Sequence, residues 1–368
     1  MKRSIAVAFL FVHSLHAWSQ EEPVSPDAIY QNEPTGNDSS SFLTFYLDND
    51  LFSGEDQDYT NGTRASWISE NRPAFGFIPA RQLLEKLSGA DGSSSLVQRL
   101  SGFEKGDIES KKVVINYGLS VTQLMFTPAD FESPEQPPGE RRYAGWLGLG
   151  FSLHAKSERV LNSAELIFGT VGPRSYAEET QDFIHDLRGI PKFQGWEDQI
   201  PNEFTLDLSF IQKRRVRFLE RPESNFSMDG FTEWGGQIGN FRTLARVGGF
   251  FRFGFHLPAD FSDPRISPTA YSQRLFENVR STDSDWSLYG LAGVGAAAVL
   301  FDATLDGPLF KNFETGNTRE PWVGEAYLGF GVSWKLFEFS YVHTFRSEEY
   351  KEQTGGSEFG SVALLIRL

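Results

Sequence analysis

WVGEAYLGFGVSWKL, residues 322–336, alternates without a break. The even positions are Trp322, Gly324, Ala326, Leu328, Phe330, Val332, Trp334 and Leu336; the odd ones include Glu325, Tyr327, Gly329, Gly331, Ser333 and Lys335. A period of two is that of a strand, whose successive side chains point to opposite faces. One face is apolar with Trp near both ends, and the other is polar or small. The pattern recurs in 143–153, where Tyr143, Leu147, Leu149, Phe151 and Leu153 oppose Gly148, Gly150 and Ser152. It recurs again in 241–257, where Val247, Phe251, Phe253 and Phe255 oppose Arg242, Arg246 and Arg252.

A soluble sandwich also alternates, but three features favour a membrane barrel. The runs are long, about 9–15 residues, as a tilted span requires. Aromatics make up 14% of the chain, with 34 Phe, and often sit near strand ends, where interfacial girdles belong. The polar faces carry Arg, Lys and Glu, which a packed sandwich core does not accept unpaired. The expected fold is therefore all-β: an antiparallel transmembrane β-barrel of about 12 strands. The candidate strands are 42–49, 60–69, 111–126, 143–155, 158–169, 203–218, 224–240, 242–257, 285–303, 320–335, 336–346 and 358–368. The polar or Pro/Gly-rich connections 70–110, 127–142, 170–202, 258–284 and 304–319 suit extracellular loops. The last residue, Leu368, stands where many outer-membrane barrels end in an aromatic.

The remaining chain agrees with export to an outer membrane. Lys2 and Arg3 precede the apolar run Ile5–Val12, and Ala17-Trp18-Ser19 fits a small-x-small cleavage site. Residues 1–19 are expected to be a signal peptide, 20–40 a flexible polar lead-in and 41–368 the barrel. The apolar run is too short for a spanning helix. Cysteine is absent, so no disulfide staples the fold. A net charge of −15 argues against nucleic acid as a partner.

Two segments carry candidate chemistry. In the first hairpin, 41–67, Asp48, Asp50, Glu55, Asp56 and Asp58 crowd eleven positions without a Lys or Arg. Asp is a common turn residue, but hard oxygen ligands on a turn also suit Ca²⁺ better than zinc or copper. Asp48, Asp50 and Asp58 are the candidate metal ligands, although no EF-hand spacing is present. The second segment, YAEETQDFIHDLR, lies between strands five and six. Ser175 with Glu178 has capping-box spacing and Gly189 suits a C-cap, so a helix of about 13 residues is expected in that loop. It carries His185, which is either a surface histidine favoured by the helix C-terminus or a general base for water. His154, His256 and His343 fall in candidate strands, the first two at lumen-facing parity. Asn49 shares parity with Leu43, Phe45 and Leu47, so it emerges on the apolar side, whereas Asp48 and Asp50 share the other side.

Four blocks, in order and spanning nearly the whole mature chain, resemble the outer-membrane lipid A 3′-O-deacylases (LpxR type). LDNDLFSGEDQDYTNGTRASW resembles the family pattern N-D-x-F…D-x-x-Y-T-N-G, and GERRYAGWLGLG its D-R-P-Y-A-G-W strand start. IHDLRGIPKFQGWEDQIPNE resembles its His-helix with G-W-x-x-Q, and TFRSEEYKEQTGGSEFGSVAL its R-E-F-x-x-Q…F-G-S closure. The resemblance implies a twelve-stranded barrel, lipid A or lipopolysaccharide in the outer leaflet as substrate, and a monomer. It implies His185 as general base, with Asn49, Asp50 and Thr60 in the site and Ca²⁺ assisting the oxyanion. Arg141 matches an Arg suited to a lipid phosphate. Two departures matter: Arg142 replaces a Pro, and Pro191 stands where a family member carries a Glu six residues after its His. The orienter of His185 would then be another acid, such as Asp182. The alternatives are the same ester chemistry on a glycerophospholipid, or a non-catalytic porin-like or structural barrel.

Overall fold

The computed structural model describes residues 40–50, 61–73, 101–103, 113–130, 133, 135–219, 225–258, 260–261, 265–266 and 285–368. The expected signal peptide and all but the last residue of the lead-in lie outside these, as do Thr60 and Asp58.

The strands are β1 Phe42–Asn49, β2 Asn61–Ile68, β3 Val114–Phe126, β4 Ala144–Lys156, β5 Val160–Val171 and β6 Glu203–Leu219, followed by β7 Phe226–Gly239, β8 Arg242–Phe255, β9 Trp286–Asp302, β10 Trp322–Trp334, β11 Phe337–Arg346 and β12 Ser357–Arg367. A two-residue piece, Arg72–Pro73, continues the pairing of β2 with β3 beyond an irregularity at Ser69–Asn71. There the Ser69 N–H donates to the Tyr117 carbonyl at 2.8 Å, and the Tyr117 N–H donates to Ser69 Oγ at 3.0 Å, so the ladder stays satisfied across the break. Counted with that piece, β2 is one strand and the barrel has twelve. Each strand pairs antiparallel with its sequence neighbours, and β1 pairs with both β2 and β12, which closes the sheet. Closure leaves no unpaired edge, the condition for crossing a bilayer with strands.

Alternation sorts the side chains as the sequence implies. Outward positions carry exposed apolar groups such as Phe45, Leu149, Phe151, Leu206, Phe253 and Leu328. Trp286, Trp334 and Phe337 are register partners at one end of β9–β11, and Phe226 pairs with Phe255 beside them. Trp322 marks the other end of β10. From Trp322 to Trp334 the strand runs about 40 Å, which a tilt of about 40° reduces to about 30 Å, the thickness of a hydrocarbon core.

Several inward charges are paired with one another. Arg64 meets Glu165 at 2.7 Å, Arg246 meets Glu233 at 2.7 Å, and Arg252 meets Asp229 at 2.7 Å and Asp260 at 2.5 Å. His154 is fully buried between Ser163 Oγ at 2.7 Å and Ser152 Oγ at 2.9 Å, a lumen-filling role. His256 lies beyond the end of β8 with φ 50°, packed edge-on against Trp286, not inside the lumen.

One expectation is corrected. Antiparallel strands reverse at each connection, so alternate connections lie at opposite ends. Those after β1, β3, β5, β7, β9 and β11 share one end. The connections after β2 and β8 leave from the other end, with the termini, so 70–110 and 258–284 do not join the loops at 127–142, 170–202 and 304–319. Described parts of both reach barrel side chains instead. The Ser101 carbonyl accepts from Asn162 and Gln212, and Arg265 reaches Glu233 and Glu325.

Candidate active site

The start of β4, Tyr143-Ala144-Gly145-Trp146, holds a loop helix against the outer surface of the barrel. Ala144 and Trp146 point inward; the Trp146 ring stacks on Phe241 with centroids 4.4 Å apart and its Nε1–H donates to Thr205 at 3.0 Å. Tyr143 and Gly145 point outward. A Cβ on Gly145 would stand 2.0 Å from Ser175 Oγ and 2.4 Å from Ala177 Cβ, so only glycine lets the chain 172–177 approach this closely. The Gly172 N–H also donates to the Gly145 carbonyl at 2.9 Å.

The helix, α1, spans Ala177–Arg188. The expected capping box does not form. Ser175 is used in a short 3-10 turn, Pro173–Ser175, buried against Gly145, and Tyr176 takes the N-cap at φ 56° with no side-chain cap. Gly189 closes the helix at φ 67°, as its lack of Cβ allows. Ala177, Gln181 and His185 recur at the four-residue spacing of one helix face and are buried. Gln181 Oε1 accepts from Trp196 Nε1 at 2.6 Å. Trp196 and Phe193 pack on Tyr143, and Met125 of β3 joins them in one cluster on the outside of the wall.

His185 lies edge-on to Phe193, with ring centroids 5.2 Å apart. Its Nδ1 is 2.6 Å from the Pro191 carbonyl oxygen. A carbonyl only accepts, so Nδ1 carries the proton and Nε2 keeps its lone pair. The orienter is therefore this backbone carbonyl and not an acid. Asp182 is engaged elsewhere: Lys192 bridges Asp182 at 3.1 Å and Asp186 at 2.9 Å, and those bonds raise the Lys192 ammonium pKa above its ordinary value.

Strand register puts the end of β1 on the same outer face of the wall. Asn49 pairs with Asn61, Asn61 with Met125, and Met125 with Gly145, and register partners project from the same face of the sheet. Strands about 4.8 Å apart put Asn49 about 10 Å from Met125 along the wall. Asn49 and Asn61 thus share the outward side of the wall with the cluster that holds His185. Thr63 Oγ1 donates to Asn61 Oδ1 at 3.2 Å, and Gln123 Nε2 donates to the Ser175 carbonyl at 2.7 Å. Asn61, Thr63 and Gln123 belong to this polar patch, and sequence reasoning missed them. The signal was present, because Asn61 and Thr63 share outward parity with Trp67.

The other expected residues separate. Asp48 points inward, lining lumenal cavities with Arg64, Arg242 and Arg346, and the wall itself divides it from Asn49. Asp50 is buried at the end of β1. Asp58 and Thr60 lie outside the described residues. The oxygen donors near the strand end are the Asn49 and Asn61 amides, the Thr63 hydroxyl and the Asp50 carboxylate. These hard donors suit Ca²⁺ and not a thiophilic metal. Among the described residues no group of three or more acidic or histidine side chains could hold a metal ion.

Arg141 does not present itself to a phosphate. It is 0% exposed, donating from Nη1 to Glu349 at 2.9 Å and from Nη2 to Thr304 at 2.7 Å, with its guanidinium 4.3 Å from the Phe126 ring centroid. It ties together the connections after β3, β9 and β11. Burial pushes the Glu349 carboxyl up, but Arg141, Arg346 and Arg242 outweigh it and hold its pKa below the usual value. Arg141→Ala is expected to lower stability by about 3–5 kcal/mol in denaturant unfolding, because it strands a buried carboxylate. A group with a depressed folded pKa stabilises at neutral pH, and that contribution fades as pH falls through the depressed value. The stability gap between wild type and Glu349→Gln should therefore be widest at neutral pH and shrink below about pH 4.

No curated protein matches the chain. Among solved structures, LpxR from Salmonella typhimurium superposes with a TM-score of 0.65 at 16% identity, covering 88% of this chain and 99% of that one. The β domain of the Bordetella autotransporter BrkA follows at a TM-score of 0.39 and 8% identity, covering 89% and 98%. The first of these likenesses supports the barrel fold. A family model described as outer membrane protein LpxR matches residues 5–368, almost the whole sequence, and the chain therefore belongs to the LpxR family of outer-membrane lipid A 3′-O-deacylases.

Proposed function

We propose that this protein is an ester hydrolase that removes one acyl chain from lipid A in the outer leaflet, working as a monomer with His185 as general base. The observation that carries this reading is the Nδ1 bond of His185 to the Pro191 carbonyl, which leaves Nε2 as a proton acceptor on the same outer face of the wall as Asn49 and Asn61. A water held by Nε2 attacks the ester carbonyl carbon and gives its proton to the imidazole. The tetrahedral intermediate then collapses: the alkoxide leaves with the proton from Nε2, and the acyl chain departs as a fatty acid. Pro191 holds the ring in one tautomer and stabilises the transient imidazolium. A carbonyl does not titrate, so this orienter works unchanged across pH. The Asn49 and Asn61 amides can donate toward the carbonyl oxygen as it gains charge. Ca²⁺, held by Asp50 and Asn49 with Thr60 and Asp58 as further candidate ligands, would supply Lewis-acid polarisation of that oxygen.

The site's position supports a lipid substrate. It lies on the outside of the wall, where the outward apolar run of β1 ends at Asn49. Phe183 and Leu187, 65% and 74% exposed, form an apolar stripe on α1 on a side of the helix distinct from Ala177, Gln181 and His185, and the N-cap Tyr176 is 60% exposed. A substrate arriving from the bilayer meets apolar surface and reaches His185 without entering the lumen. The paired interior charges argue against a porin.

Mass spectrometry of lipid A from cells expressing the chain, with and without Ca²⁺, tests the reading. Loss of one acyl mass in the presence of Ca²⁺ is expected. Unchanged acylation removes the proposal, and lysis of phospholipid in its place identifies a phospholipase.

A further inference from the structure

On the other side of Asn49 from His185 lies a second cluster of ionisable groups on the membrane-facing surface. β11 turns Phe337, Phe339, Tyr341, His343 and Phe345 outward. β12 turns Leu364, Val362, Gly360 and Glu358 outward. His343 Nε2 is 3.3 Å from Glu358 Oε2, and the Tyr341 hydroxyl is 3.3 Å from His343 Nδ1. The Phe345 ring meets His343 edge-on, with centroids 4.7 Å apart. Ionisable groups on the lipid side of a barrel wall are costly unless a ligand or the interface uses them.

Register ties this cluster to the site. His343 pairs with Gly360, and Gly360 pairs with Asn49. The row His343–Gly360–Asn49–Asn61 is therefore continuous across four strands on the outer face. His343 and Asn49 stand about 10 Å apart, and the residue between them has no side chain. Glu358 is 48% exposed on its side chain and can accept hydrogen bonds from hydroxyl or amide N–H groups. Its negative charge repels a phosphate at the same spot. Imidazole and phenol add both donors and acceptors. Hydroxyl- and amide-rich rings match this set, whereas a glycerophosphate does not.

We propose that His343 and Glu358, supported by Tyr341, bind the sugar part of the lipid headgroup and thereby select a glycolipid over a glycerophospholipid. The proposal rests on the hydrolase reading for its substrate, but it makes a claim about binding alone. The test is equilibrium binding of lipid A and of phosphatidylglycerol to the full-length protein in a sugar-free detergent, for wild type, Glu358→Gln and His343→Asn. Heat-modified gel mobility verifies that each barrel is folded. The expected result is about a tenfold loss of lipid A affinity in each variant, with phosphatidylglycerol binding unchanged. Equal lipid A affinity in all three proteins overturns the proposal, as does an equal loss for phosphatidylglycerol. Because binding is measured without turnover, a protein that passes this test yet releases no fatty acid sinks the hydrolase reading alone.

Discussion

Replacing His185 by alanine is expected to lower the rate of lipid A deacylation by about two to four orders of magnitude, the usual contribution of a general base. The barrel should be untouched, because His185 sits on a loop helix outside the wall and the only hydrogen bond of its side chain among the described residues is to the Pro191 carbonyl. Removing the ring also uncovers Phe193, so a modest loosening of the 190–196 segment is expected. The measurement is fatty-acid release from lipid A by purified protein, with strand content followed by circular dichroism. His185→Gln should be as inactive as the alanine variant: an amide nitrogen can still donate to Pro191, but no basic nitrogen remains for water. Retained activity in either variant would move the base elsewhere.

Gly145→Leu should be nearly as damaging without touching any reacting group. The helix start approaches so closely that a Cβ would overlap Ser175 Oγ and Ala177 Cβ. The strand is held at Gly145 by the β3–β4 ladder and from Trp146 onward by the β4–β5 ladder, so the helix must give way instead. His185 lies two turns along that helix from Ala177. A shift of about 1 Å at a catalytic group costs on the order of a hundredfold in rate, and a leucine demands more than that. The expected outcome is a folded barrel with normal heat-modified mobility and at most about 1% of wild-type turnover. Gly145→Ala should fall between, since the single methyl already meets both atoms. Full activity in Gly145→Leu would mean that the helix is not held by this contact.

The strands were legible in the sequence because a barrel wall has only two environments, and alternation reports both. Elements such as β10, with Trp322 and Trp334 at its ends, needed no tertiary information. The ends of the barrel were less legible. Composition made 70–110 and 258–284 look like their counterparts at 127–142 and 304–319, yet counting strand reversals separates them. Asn49 was readable from parity with Leu47, and the same parity already divided it from Asp48. Arg141 was misread because its partner, Glu349, lies 208 positions away and no local pattern announces it. The orienter of His185 was invisible for a different reason. A side-chain search looks for an acid, and Pro191 acts through its backbone. Ser175 shows the limit of a spacing motif: its hydroxyl is used against Gly145, and Tyr176 caps the helix in its place.

The central claim is that His185 and the outward amide row of β1 and β2 form one site on the outer face of the wall. A double-mutant cycle tests it most directly, with deacylation of lipid A measured for wild type, His185→Ala, Asn49→Ala and the double variant. Groups that serve one step are non-additive, so the double variant should be little slower than His185→Ala. Losses that multiply, or an Asn49→Ala protein as active as wild type, would contradict a shared site.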